Sequence, residues 1–131
     1  MLRLTRDVLR ELDRRLGREH GLAVTEFDVL ITLDNADERR LRMSDLAEAA
    51  MLSSGGLTRL VGRLEDRGFL RRQPDVDDGR SFHAQLTAAG ARALRRARVT
   101  HDAVIEELVA SRTTQEDLRH VASILAQATQ R

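Results

Sequence analysis

The chain contains no cysteine, lysine, tryptophan or tyrosine, and each absence removes some chemistry. Without cysteine there is no disulfide, no thiolate metal site and no thiol-based redox sensor. With Phe27, Phe69 and Phe82 as the aromatic side chains, a pocket that grips its ligand by ring stacking has little material. No apolar run approaches the length needed to span a bilayer, and the start of the chain lacks the charged segment, apolar run and small-residue cleavage site of a signal peptide. A cytoplasmic protein with no membrane contact is the expectation. Serine, histidine and carboxylates are present, but no motif sets a nucleophile beside a base and an oxyanion donor. No glycine-rich loop is built to hold phosphate either. The sequence therefore predicts neither an enzyme nor a bound cofactor.

At 131 residues, 41% hydrophobic and 33% charged, the chain reads as one soluble globular domain whose modest core a partner subunit would help to complete. The net charge of +1 gives no support by itself to nucleic-acid binding. Every one of the 22 basic residues is arginine, so each contact can be planar and bidentate, to phosphate or to guanine.

Local signals concentrate between residues 43 and 87. Ser44 reads as a helix N-cap followed by Asp45 and Glu48, with Leu46, Ala47 and Ala50 on one side. Ser53 and Ser54 are caps for a second helix, in which Leu57, Leu60, Val61 and Leu64 form one apolar stripe at helical period. Thr58, Arg59 and Arg63 lie on or near its outward side, and Gly68 ends it as a C′ glycine. Alternation then replaces the helical period over 69–73 and 81–86, around the turn-rich loop from Pro74 to Arg80. Two helices and a hairpin with a charged tip predict a winged helix-turn-helix, its second helix in the major groove and its wing toward the minor groove.

The order LS-x4-TRLVxRLExRGFLRR, then DxDDGRS, then LTxxG, resembles the MarR (multiple antibiotic resistance regulator) family of bacterial transcription factors over nearly the whole chain. The resemblance implies a homodimeric DNA-binding regulator, most often a repressor, acting on double-stranded DNA at a pseudo-palindromic operator and released by a small-molecule effector. It implies that Arg80 enters a minor groove with Asp78 helping to hold it, and that Thr58, Arg59 and Arg63 stand on the recognition helix. Ser53 or Ser54 is expected to donate to a phosphate at the helix start. It also implies an effector pocket near His20, Phe27 and the start of the long helix. Gly55–Gly56 and Gly79 depart from the family's pattern, the first pair where bulkier residues are common and the last where many members carry a second basic residue.

The flanks read as pairing apparatus. Residues 2–19 form a helix with Leu2, Leu9 and Leu16 recurring every seven and Thr5 and Leu12 between them; the seam either meets a second chain or packs on its own domain. Gly17 and Gly21 predict fraying or a turn around His20. Thr25 is expected to cap a second helix, with Asp28 at the N3 position, Phe27, Leu30 and Ile31 inward, and an end near Asn35. A polar loop then leads to a short edge strand around 41–43. Thr87 caps a long helix whose buried side runs through Ala91, Leu94, Ala97, His101, Val104, Ile105 and Leu108. Arg92, Arg95, Arg96 and Arg98 form its wet side, a solvated face in preference to a phosphate contact. A capping box at Thr113 and Glu116 opens a last helix striped by Leu118, Val121, Ala122 and Leu125.

The fold expected is thus mainly α with a small β-hairpin wing: a winged helix-turn-helix DNA-binding region over 23–99, with dimerisation helices at 1–22 and 100–131. Residues 42–87 carry seven arginines and seven acids, so the head is neutral in sum. That neutrality leaves open a second function, a winged-helix protein-interaction module without DNA specificity. An ion pair of Arg80 with Asp77 or Asp78 is the structural counterpart of its groove role, and an ordinary exposed helix face is the counterpart for Thr58, Arg59 and Arg63. The four histidines (20, 83, 101, 120) show no tight ligand spacing, so no metal site is expected.

Overall fold

The computed structural model describes residues 2–112 and 115–129, with side chains over 3–110 and 119–128. The elements run α1 (Leu2–His20), α2 (Val24–Asp34), a 3₁₀ turn, β1 (Arg40–Arg42), α3 (Met43–Ala50), α4 (Ser54–Asp66), β2 (Leu70–Pro74), β3 (Phe82–Leu86), α5 (Ala88–Arg112) and α6 (Gln115–Thr129). This is the winged helix-turn-helix architecture expected, mainly helical with one small sheet.

The expected stripe of α4 is the centre of the core: Leu57, Leu60, Val61 and Leu64 are all buried, against Leu46 of α3 and Phe27, Leu30 and Leu33 of α2. Each such side chain stabilises the head by roughly 1.5–3 kcal/mol relative to exposure. Helix α4 stops where Gly68 adopts φ +79°, its N–H bonding to the Glu65 carbonyl while that of Phe69 bonds to Leu64. This double closure satisfies two end carbonyls of the helix and turns the chain straight into β2.

The sheet has the order β1-β3-β2, all antiparallel, with Leu41 opposite Ala84 and Arg72 opposite Ala84 on its other side. The edge strand therefore pairs with the hairpin as expected. Thr87 caps α5 by accepting from the Gly90 N–H at 3.0 Å, and its hydroxyl donates to the Gly68 carbonyl at 2.6 Å. Gly90 explains the glycine of the LTxxG motif: a Cβ there would stand 2.1 Å from the Phe69 carbonyl oxygen. Helix α5 crosses the hairpin too closely for any side chain at that position.

The turn expected around His20 forms: helix α1 continues through exposed Gly17 and stops at Gly21, φ +65°. Two expected boundaries move. Helix α2 begins after Ala23 and not at Thr25: the Ala23 N–H donates to Glu26 Oε1 at 2.9 Å, and the Val24 N–H donates to Asp13 of α1 at 3.1 Å. Carboxylates brought by the next turn and by a neighbouring helix replace the local hydroxyl. Helix α3 begins at Met43, with extended Arg42 as its cap residue and no side-chain cap, because β1 runs directly into it; Ser44 lies in the first turn.

The α1 seam divides. Leu12 and Leu16 are buried in the chain's own core, whereas Leu9 is 50% exposed. On α6, Ile124 and Leu125 are 49% and 43% exposed. Thr113 of the expected capping box and the side chains of Glu116 and Leu118 lie outside what is described. Arg15 of α1 reaches Glu107 of α5 at 2.9 Å, fixing the two long helices together.

Candidate nucleic-acid interface

Helix α4 presents its start to solvent. Ser53 is the N-cap, its Oγ accepting from the Gly56 N–H at 3.1 Å, and Ser54 is the first helical residue. Thr58 lies one turn on and donates to the Ser54 carbonyl at 2.8 Å. Arg59 is exposed beside Gly55, with no carboxylate at ion-pair distance among the described residues. Arg63 turns aside: its Nε stands 3.9 Å from Oε2 of Glu26, whose other oxygen caps α2.

The wing is held by its own acids. Asp75 is buried; it accepts from the Asp77 N–H at 3.0 Å and stands 3.0 Å from Arg42 Nε on β1, which roots the loop in the sheet. The Asp77 amide, then its partial burial, then Arg42 act on its carboxyl, and the net effect holds it below the ordinary carboxylate range. Asp78 accepts from the Arg80 N–H and from the Ser81 hydroxyl, each at 3.1 Å. The expected pairing of the Arg80 guanidinium with Asp77 or Asp78 is not formed: Asp78 grips the backbone of Arg80 and leaves its side chain exposed, because the tight turn spends the carboxylate on amide and hydroxyl donors.

Between α3, α4 and the wing lies a cleft of about 350 Å³ whose polar lining is Arg42, Ser44, Thr58, Arg72, Arg80 and Ser81, with Phe82 beside them. Only Thr58 and Arg80 of these had been singled out as site residues. Arg72 is held in place by Glu65, which accepts from its Nη2 at 2.9 Å and from its backbone N–H at 3.0 Å. Those bonds keep the Glu65 carboxyl below its ordinary range. The sequence does not assign Arg42 and Arg72 to this cleft, because β1, α4 and the wing, which come together around it, are distant along the chain.

The residues expected at an effector pocket separate. Phe27 lines a second cavity, between α1, α2, α5 and α6. His20 does not line it; its Nε2 lies 2.7 Å from the Thr100 hydroxyl of α5. Arg67 donates to the carbonyls of His20 and Gly21, at 2.9 and 2.6 Å, and packs over Phe69, so the end of α1 is clasped from the head. Arg67 stands within the ExRGF stretch of the sequence motif, which gives no sign of what it holds. Among the described residues no group of three or more His, Cys, Asp or Glu side chains is placed to hold a metal ion, and no helix is long and apolar enough to cross a membrane.

A helix-turn-helix closed by a three-stranded sheet, with an arginine at the tip of its hairpin, defines a winged-helix DNA-binding protein. Residues 20–81 match the family model described as MarR family. PecS of Dickeya dadantii, an HTH-type transcriptional regulator, is 31% identical over 118 residues, covering 87% of this chain and 70% of PecS. MprA of Escherichia coli, a transcriptional repressor, is 33% identical over 87 residues, covering 66% of this chain and 49% of MprA. The crystal structure of Sco3205, a MarR family transcriptional regulator from Streptomyces coelicolor, in complex with DNA, superposes with TM-score 0.83 at 30% identity, covering 98% of this chain and 80% of that one. The chain belongs to the MarR family and is a DNA-binding transcriptional regulator. Matched segments span between 48% and 74% of the lengths of the curated relatives.

Proposed function

We propose that the protein is a homodimeric repressor that reads a pseudo-palindromic operator. The start of α4 enters the major groove, the wing enters the flanking minor groove, and a backbone phosphate occupies the cleft between them. The convergence of Arg42, Arg72 and Arg80 with Thr58 on that one cleft carries this reading. It answers the neutral charge of the head: Asp75 and Glu65 hold two of these arginines in place, so acid and base sum to nothing while the guanidiniums share one wall. Arg59 is assigned to a guanine edge, Ser53 and Ser54 to phosphate, and Arg63 to phosphate only, since it leans toward Glu26. Asp78 acts by holding the wing turn that carries Arg80.

Dimerisation is supported by the exposed apolar residues Leu9, Ile124 and Leu125 on α1 and α6. Two heads related by a twofold axis would meet half-sites about one helical turn apart. Repression is supported by the likeness to MprA. Release by a small effector is assigned to the cavity lined by Phe27, from which His101 of α5 and the clasp of Arg67 on α1 lead toward the head.

The test is fluorescence anisotropy with duplexes selected from a random pool, over a range of salt concentrations. Wild type should bind one duplex selectively with a steep salt dependence. Arg80→Ala and Arg72→Ala should each weaken binding about tenfold and lower the salt slope by about one. Equal affinity for all duplexes with a flat salt response would sink the operator reading and favour a protein partner for the same face.

A further inference from the structure

The cavity between α1, α2, α5 and α6 measures about 290 Å³, near the lower end of small-molecule sites. Its walls are aliphatic almost throughout, with Val8, Leu12, Ile105 and Val121 among them, and Phe27 supplies its one aromatic ring apart from histidine. Two of the described lining residues can carry charge, Asp28 and His101. None is arginine, in a chain with 22 basic residues.

The two ionisable groups differ in how they are held. His101 stacks on Phe27, ring centroids 5.0 Å apart, and its Nδ1 lies 3.0 Å from the Asp102 carboxylate. Asp28 follows Phe27 on α2, and its main-chain carbonyl accepts from Thr32. Its carboxylate has no hydrogen bond and no ion pair among the described residues. The next acid on the same helix, Asp34, by contrast, reaches both Arg39 and Arg98. Although Asp28 still meets solvent, the surface packed around it raises its pKa above the ordinary value, and His101 opposes that rise. Asp28 is solvent-exposed and also lines the cavity, so a cation whose body is held by the apolar walls can meet its carboxylate.

We propose that this cavity binds a small lipophilic cation, an aromatic or alkyl ammonium whose apolar body fills the aliphatic space while its charged head pairs with Asp28. The proposal deepens the effector reading given above and rests on it for the cavity's role, though not for binding itself. An organic anion finds no guanidinium there and meets the Asp28 charge. A neutral molecule satisfies the walls but leaves the carboxylate as it was.

Three probes of one shape test it: 1-naphthylmethylamine, 1-naphthylmethanol and 1-naphthoate, titrated at pH 8 into the full chain. The chain has no tryptophan or tyrosine, so naphthalene emission can be read with little protein background. The amine should bind about tenfold more tightly than the alcohol, as expected for one charge-assisted contact, and the acid should bind most weakly. Asp28→Asn should bring the amine down to the alcohol's affinity and leave the alcohol unmoved, which also shows that the variant is folded. Val8→Phe, which narrows the cavity, should weaken all three.

An acid that binds as well as the amine would overturn the proposal, as would an amine preference that survives Asp28→Asn. Absence of binding by all three at millimolar concentration would overturn it too, and would mean that a helix of a second copy fills the space. DNA affinity followed in the same titrations separates the two readings. Amine binding that depends on Asp28 but leaves DNA affinity unchanged keeps the cation site and removes its effector role. Release of DNA by the acid alone keeps an effector and overturns the cation.

Discussion

Between β1 and the start of α5, polar side chains close the region from within. Ser53 caps α4, Glu65 holds Arg72, Asp75 and Asp78 shape the wing, and Thr87 joins α5 to the end of α4. At the other end of the molecule, Leu9 of α1 and Ile124 and Leu125 of α6 are 50%, 49% and 43% exposed. The head is held largely by hydrogen bonds among its own residues; the terminal helices leave apolar side chains that a further surface would cover. One region should therefore respond to mutation through its own stability, and the other through association.

The largest expected effect breaks the second region and spares the first. Leu9→Glu combined with Ile124→Glu removes apolar contacts worth roughly 1.5–3 kcal/mol per side chain, counted in both subunits of the proposed dimer. Sedimentation equilibrium should show dissociation by well over a hundredfold while the head keeps its circular dichroism; a dimer of unchanged strength would place the interface elsewhere. Gly90→Ala tests the head's closure against α5. Its Cβ would fall on the Phe69 carbonyl, so urea unfolding should show a loss of about 3 kcal/mol, within the range of overpacked sites. An unshifted midpoint would mean that the hairpin and α5 separate there at no cost.

Ser53→Ala should cost about 1 kcal/mol in the same assay, the usual loss for an N-cap. Its DNA affinity should fall further than stability alone explains if Ser53 also meets phosphate. The smallest effect is acid-dependent. Because the Asp75 carboxyl is held below its ordinary value of 3.8, the stability it contributes is fully present above that value and is lost as pH falls through its lower folded value. Exchange of the Asp77 amide should quicken in that acid window beyond the intrinsic pH dependence of exchange. In Asp75→Asn this excess should be absent; if it is unchanged, Asp75 does not root the wing.

Much of the head was legible because its signals are local. The stripe of Leu57, Leu60, Val61 and Leu64, the cap at Ser53, the stop at Gly68 and the cap at Thr87 each depend on residues within about one helical turn or on a single φ angle. Where the signal was a lone hydroxyl it misled. At Thr25 and Ser44 a partner from outside the local window, or the direct entry of β1, decided the helix start. The α1 seam was readable as a heptad but not as two halves, since burial of Leu12 and exposure of Leu9 depend on where α5 lies.

The amino-acid sequence determined the order and type of the elements, the family to which they belong and the exposed start of α4, because periodicity, capping and turn chemistry act over a few residues. Tertiary structure alone decided that Arg42, Arg72 and Arg80 share one cleft and that Arg67 clasps the end of α1. It also placed Asp28 at an apolar cavity with no hydrogen bond or ion pair to its carboxylate among the described residues. These outcomes rest on strand register and on the packing of helices distant in sequence, which bring together charges that no spacing along the chain could have paired.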